Sequence, residues 1–140
     1  MLTLFPQLLD YQYFAPTFLR IGLAFVILAH GLPKLYATRA LFAEWLRSMG
    51  FKHRLFWAWT VALAESVGGG LILFGFLTQL AAAVLIIEFL FIILWVRRGQ
   101  PFIATAAAPG MSRELDFLIL MGLLALLVSS SGAYAIDLPL

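Results

Sequence analysis

Three ionisable side chains, His30, Glu65 and Glu88, sit deep inside long apolar runs of this chain. A carboxyl group beside an imidazole is the combination that proton transfer or the oxidation of a quinol requires. A lone charge in hydrocarbon costs from about 3 to more than 10 kcal/mol, so such groups turn inward, find partners and mark candidate sites. A second role competes with the chemical one, because buried acids with hydrogen-bond partners also fix the register of packed helices. His30 precedes Gly31 and Pro33, where a helix loosens and water gains access. Four further charges, Arg20, Lys34, Asp116 and Asp137, stand nearer the ends of the runs. Cysteine is absent, which removes thiolate nucleophiles, zinc–thiolate sites and iron–sulfur clusters. Of the two histidines, His53 lies among basic residues rather than in a facing run, so neither a metal nor a bis-histidine haem is expected.

The elements that position these groups follow from composition. Hydrophobic residues make up 64% of the 140 residues and charged ones 11%, against roughly 45–50% and about 25% in soluble domains. A water-soluble monomer of this size would lack the polar surface it needs, and the wealth of Phe, Leu, Ile and Trp excludes disorder. The net charge of +2 is too small to argue for nucleic acid. The bilayer is the remaining solvent. A membrane helix needs roughly 20 apolar residues, and four such spans are expected, at about 16–36, 55–76, 78–96 and 115–136. Leu55–Val96 as one helix would run about 63 Å, twice the hydrocarbon thickness, so it must fold back, and the stretch from Gly75 to Gln79 is its only turn-like segment. The fold class is therefore all-α, an integral membrane four-helix bundle in a single domain over 1–140. No basic lead followed by an apolar core and a cleavage site marks a signal peptide.

Eight of the nine basic residues fall in two loops, one after the first span and one after the third. By the bias of Lys and Arg toward the cytoplasm, both loops are expected inside, both termini outside, and the protein in the plasma membrane. The first loop has structure of its own. Leu41, Phe42, Trp45, Leu46 and Met49 fall on one helical face and Arg39, Glu44, Arg47 and Ser48 on the other. Thr38 and Gly50 suit its two ends. Such a helix either lies in the interface plane or packs on the end of the bundle. The second loop, rich in Ala, Pro and Gly, is either re-entrant or exposed.

Depth along each span groups the charges. At about 1.5 Å per residue, His30 and Glu65 fall near one level and Glu88 near mid-membrane, which predicts a central polar cluster. Arg20 is a candidate partner for Glu88 or Asp137 at the outer end, and Lys34 and Asp116 meet the inner surface. Ala62, Ser66, Gly69 and Gly70 form a small-residue stripe on the second span that suits close helix packing, with space for a flat ligand as a second use.

With these residues in view, the chain resembles the DoxX family of small four-helix membrane proteins. The likeness runs from about Phe18 to Leu138. It is carried by Arg20 and Gly22, by His30, Gly31, Pro33 and Lys34, by Phe42, Trp45 and Gly50, by Glu65 with Gly68, Gly69, Gly70 and Gly75, and by Asp116, Gly132 and Asp137. It departs at Phe51, where proline often follows the glycine. The resemblance implies an integral membrane subunit linked to redox complexes. DoxD-type relatives belong to thiosulfate:quinone oxidoreductases, and others are tied to oxidative-stress defence. The positions matching the family pattern are Arg20, His30, Lys34, Glu65, Glu88 and Asp137.

The function expected is thus a redox-complex subunit with an intramembrane pocket for quinone, in which His30 and Glu65 meet the ring oxygens and Arg20 and Glu88 hold the outer half. Lys34, Asp116 and Asp137 are assigned to structural pairing. A protein partner supplies the electrons, and an exposed glycine-rich face suits a homodimer. Two other readings stand beside it: a carrier of protons or a small solute along the same acids, and a membrane anchor whose acids only lock the bundle.

Overall fold

Apolar side chains on every face of a helix leave it stable only where its outer surface meets hydrocarbon, and the helices here have that character. The computed structural model describes residues 5–105, 112–129 and 131–137. A 3-10 segment, Pro6–Phe14, leads into α1 (Ala15–Tyr36). The basic loop carries α2 (Arg39–Ser48). Next come α3 (Arg54–Phe74) and α4 (Thr78–Phe91), which is prolonged by a π-helical turn, Ile92–Val96. The last helix is α5 (Glu114–Ser129). The chain is all-helical among the described residues. Three stretches among the described residues are long and apolar enough to cross a membrane: Gln7–Tyr36, Arg54–Phe74 and Thr78–Val96.

The fourth expected span is shorter than its hydropathy implies. Helix α5 has 16 residues and stops at Ser129, not near 136. Small hydroxyl residues compete with the helix for backbone partners, and Gly132 at φ +73° turns the chain back. The segment from Ser131 to Asp137 then lies across the end of α1 and the α3–α4 turn. Thr17 Oγ1 donates to the Ala133 carbonyl (2.8 Å), and the backbone N–H of Asp137 donates to the Gly75 carbonyl (2.7 Å).

Helix α1 packs along α3, α3 meets α4, α4 meets α5, and α5 returns to α1. The core between them includes Ile27, Ile72, Leu85, Phe89, Leu123 and Leu126. Three glycines let α3 approach its neighbours closely. A Cβ on Gly31 would stand 2.7 Å from the Glu65 Cβ and 2.9 Å from the Ser66 nitrogen, while Gly68 faces Leu85 and Gly69 faces Leu28 and Ile27. Ala62 is buried. Gly70 meets nothing within 4 Å, so the packing role expected of it falls to Gly31 on the facing helix.

The α3–α4 turn lies where the glycine predicted it. Gly75 takes φ +64° and ends α3, and a Cβ there would collide with the Arg20 guanidinium. Helix α2 packs on the end of the bundle, with Ala43 and Leu46 against Ala58 and with Phe42 and Phe51 beside them. Thr38 does not cap α2 with its side chain; its carbonyl accepts from the Phe42 N–H at 2.8 Å instead. Of the second basic loop, 106–111 lies outside the described residues, as do 1–4 and 138–140 at the ends and Ser130 beyond α5.

Candidate functional site

The close contact at Gly31 determines the site. It brings the α3 backbone against α1, and Lys34, one turn further along α1, reaches Glu65. Lys34 Nζ donates to both carboxylate oxygens of Glu65, at 2.7 and 2.6 Å. Glu65 is only 2% exposed. The same ammonium lies 5.0 Å from the centroid of the Phe42 ring, a cation–π contact that ties α2 to the pair.

Glu88 projects from α4 toward the same space. Both its carboxylate oxygens are buried and neither has a hydrogen-bond partner among the described residues. Burying such a group unpaired costs several kcal/mol, so it calls for a proton or for a ligand's polar end. His30 also lines this space, although its Nδ1 lies 2.7 Å from the Val26 carbonyl one turn back and it makes no hydrogen bond to Glu65. The space is a cavity of about 650 Å³, within the range of small-molecule sites. Its walls are mostly apolar. Trp57 and Phe91 stack with centroids 6.4 Å apart and planes at 14°, and Phe51 meets both edge-on. Phe42 and Trp45 of α2 close one end.

The structure brings His30, Lys34, Glu65 and Glu88 to one cavity and leaves other expected partners apart. Arg20 is 2% exposed but lies away from the cavity, where Nη2 donates to the carbonyls of Ala133 (3.5 Å) and Tyr134 (3.2 Å). The non-helical segment after α5 frees those carbonyls, so Arg20 serves the chain's end and not Glu88. Asp116 accepts from Arg97 Nε at 2.9 Å, and this pair lines a corner of the cavity. Asp137 accepts from the backbone N–H groups of Leu77 (2.8 Å) and Thr78 (2.7 Å), the first unpaired amides of α4. Burial pushes its carboxyl up, but those N–H groups and the Arg20 charge outweigh it and hold the group below the ordinary value of 3.8.

Sequence reasoning missed Arg97, Phe51, Trp57 and Phe91 as cavity residues. Arg97 enters the sequence reading only as one of the basic residues of the second loop. The i, i+4 spacing of Phe91 and Trp95 and the like level of Trp57 were the available signal. Among the described residues no three His, Cys, Asp or Glu side chains gather to hold a metal.

Apolar helices of this length, with polar groups turned to a common interior, define a helical membrane protein. A DoxX family model matches residues 15–98, and the chain belongs to the DoxX family. That stretch runs from α1 through the π-helical turn and holds Arg20, His30, Lys34, Glu65 and Glu88. It is shorter than the likeness read from sequence, and α5 and Asp137 lie beyond it. No curated protein and no solved structure matches the chain.

Proposed function

We propose that this protein is a membrane subunit of a quinone-linked oxidoreductase complex and that its cavity holds the quinone ring. One observation carries the reading: a carboxyl group with no hydrogen-bond partner among the described residues, Glu88, is buried in an aromatic-walled cavity of about 650 Å³. Flat aromatic faces from Trp57 and Phe91 suit a planar ring, and Glu88 hydrogen-bonds one ring oxygen. The Lys34–Glu65 pair and His30 line the polar side of the cavity and exchange protons there. A bound quinone supplies two-electron, two-proton chemistry, with electrons drawn from a partner protein. Arg20 takes no part in this site.

In this reading α5 is the fourth span of a bundle, supported by its packing on both α4 and α1. The basic loops face the cytoplasm, the termini face outward, and the membrane is the plasma membrane, by the distribution of Lys and Arg. Gly22 and Gly70, which have open space before them, offer a surface for a homodimer.

Tryptophan fluorescence tests the proposal, because Trp45 and Trp57 line the cavity. The full chain in lipid nanodiscs is titrated with decylubiquinone and a menaquinone analogue. Saturable quenching that weakens at least tenfold in Glu88→Leu is expected. If no quinone quenches saturably, the reading fails. Flux driven by a pH gradient in proteoliposomes would then favour a carrier.

A further inference from the structure

We infer that ligands reach this cavity sideways, from the hydrocarbon of the bilayer, through a doorway between α3 and α4. The inference deepens the quinone reading and rests on it for the identity of the ligand. It names the class that the site admits: a molecule dissolved in the membrane with a small polar end.

Helices α3 and α4 meet near the start of α3 through the Trp57–Phe91 stack and are connected at the Gly75 turn. Three residues join them there, and Asp137 and the Gly68–Leu85 contact tie them further. Toward the other end, the cavity takes its wall from both helices, with Thr60, Val61 and Ala64 of α3 facing Val84, Ile87 and Phe91 of α4. Several of these side chains are also on the outer surface. Ile87 is 70% exposed, Val84 48% and Phe91 40%. Side chains that line a cavity and face outward mark where it opens, and these lie within the apolar stretches Arg54–Phe74 and Thr78–Val96.

Among the described residues the doorway has no polar rim. Its one hydroxyl, on Thr60, is already spent on the Phe56 carbonyl at 3.0 Å. A hydrated solute would lose its water there with no replacement, whereas an apolar molecule loses nothing. Just inside stand Glu88 and the Lys34–Glu65 pair.

The aqueous end is closed by contrast. Helix α2 covers it with Phe42, Trp45 and Leu46. It is latched by the Glu44–Arg54 ion pair and the Lys34–Phe42 contact, while Arg39 lies 4.1 Å from the Trp59 ring centroid. The Arg97–Asp116 pair fills the adjoining corner.

The chain contains no cysteine, so single spin labels test this directly. Val84→Cys and Ile87→Cys, both at exposed positions that fold without repacking, are labelled in nanodiscs and their collision rates with oxygen and with a water-soluble nickel chelate are compared. Oxygen is expected to dominate severalfold at both sites. Dominance of the nickel chelate would mean a water-filled doorway and would overturn the inference, whether or not quinone binds. A second arm follows quinone quenching after mixing with vesicles preloaded with decylubiquinone. Val84→Trp should slow it at least tenfold, and Glu44→Ala, which unlatches α2, should leave it unchanged. The reverse pattern would place the route at the aqueous end. Oxygen dominance without any quinone binding leaves the doorway standing and removes quinone as its ligand.

Discussion

Lys34 spans from α1 to α3 and satisfies both carboxylate oxygens of Glu65 with one ammonium group, at 2.7 and 2.6 Å. The two partners are unequally placed, for the Lys34 side chain is 18% exposed and that of Glu65 2%. Lys34→Met strands a buried carboxylate and should cost about 3–5 kcal/mol. Glu65→Gln should cost less, because the lysine's long stem lets its charge move toward the interface. The double variant should resemble Glu65→Gln alone. Reversible unfolding in mixed micelles checks the order; equal losses from both single variants would contradict it.

Glu88 presents the opposite case. Its carboxylate oxygens have no partner among the described residues, so removing them takes no contact from the fold. Glu88→Leu should leave stability unchanged or raise it by about 1–3 kcal/mol, the penalty otherwise carried by an unsatisfied buried polar group. Quinone affinity should fall in the same variant. Unfolding and fluorescence titration on one preparation separate the two effects, and a clear loss of stability would show that Glu88 serves the fold.

Two glycines that look alike in sequence should behave differently. Gly31→Ala places a Cβ within 2.9 Å of the Ser66 backbone nitrogen, which cannot rotate away. The helices must part, at about 1–3 kcal/mol, and Lys34 loses its geometry on Glu65. Gly70→Ala meets open space and should be neutral or stabilising by up to about 1 kcal/mol through helix propensity. Thermal unfolding of both variants in one detergent gives the comparison. A homodimer formed through Gly70 would instead show as dissociation in that variant.

The contrast shows what was legible. Hydropathy located α1, α3 and α4 to within two residues at most ends, and the glycine at 75 placed their turn. Helix α5 ended early because Gly132 turns an apolar stretch, and mean hydropathy does not register φ. Depth sorted the charges into layers but not around the helix axes. His30 and Glu65 shared a level, yet the lysine three residues past Gly31 took the carboxylate, because the glycine fixes which faces meet. Arg20 turned to the carbonyls of Ala133 and Tyr134 and to the charge of Asp137 rather than to Glu88. The aromatic wall arises from side chains far apart in sequence, Phe51, Trp57 and Phe91, whose convergence depends on how the helices pack.

Asp137 links the end of the chain to the start of α4, and its charge makes that link sensitive to pH. The backbone N–H groups of Leu77 and Thr78 and the Arg20 guanidinium hold its carboxyl below 3.8 in the folded protein despite the opposing effect of burial. A depressed folded value means the carboxylate contributes stability that is fully present above 3.8 and is lost as pH falls through the folded value. Asp137→Ala should therefore cost about 0.5–2 kcal/mol at neutral pH, as loss of a helix cap does, and Asp137→Asn less, because its amide oxygen still accepts one N–H. The gap between native protein and Asp137→Asn should close as pH drops below 3.8. Subtracting the two thermal profiles between pH 6 and 3 cancels the titration of other carboxyl groups. A gap that persists undiminished at the acid end would mean that the cap does not depend on the charge.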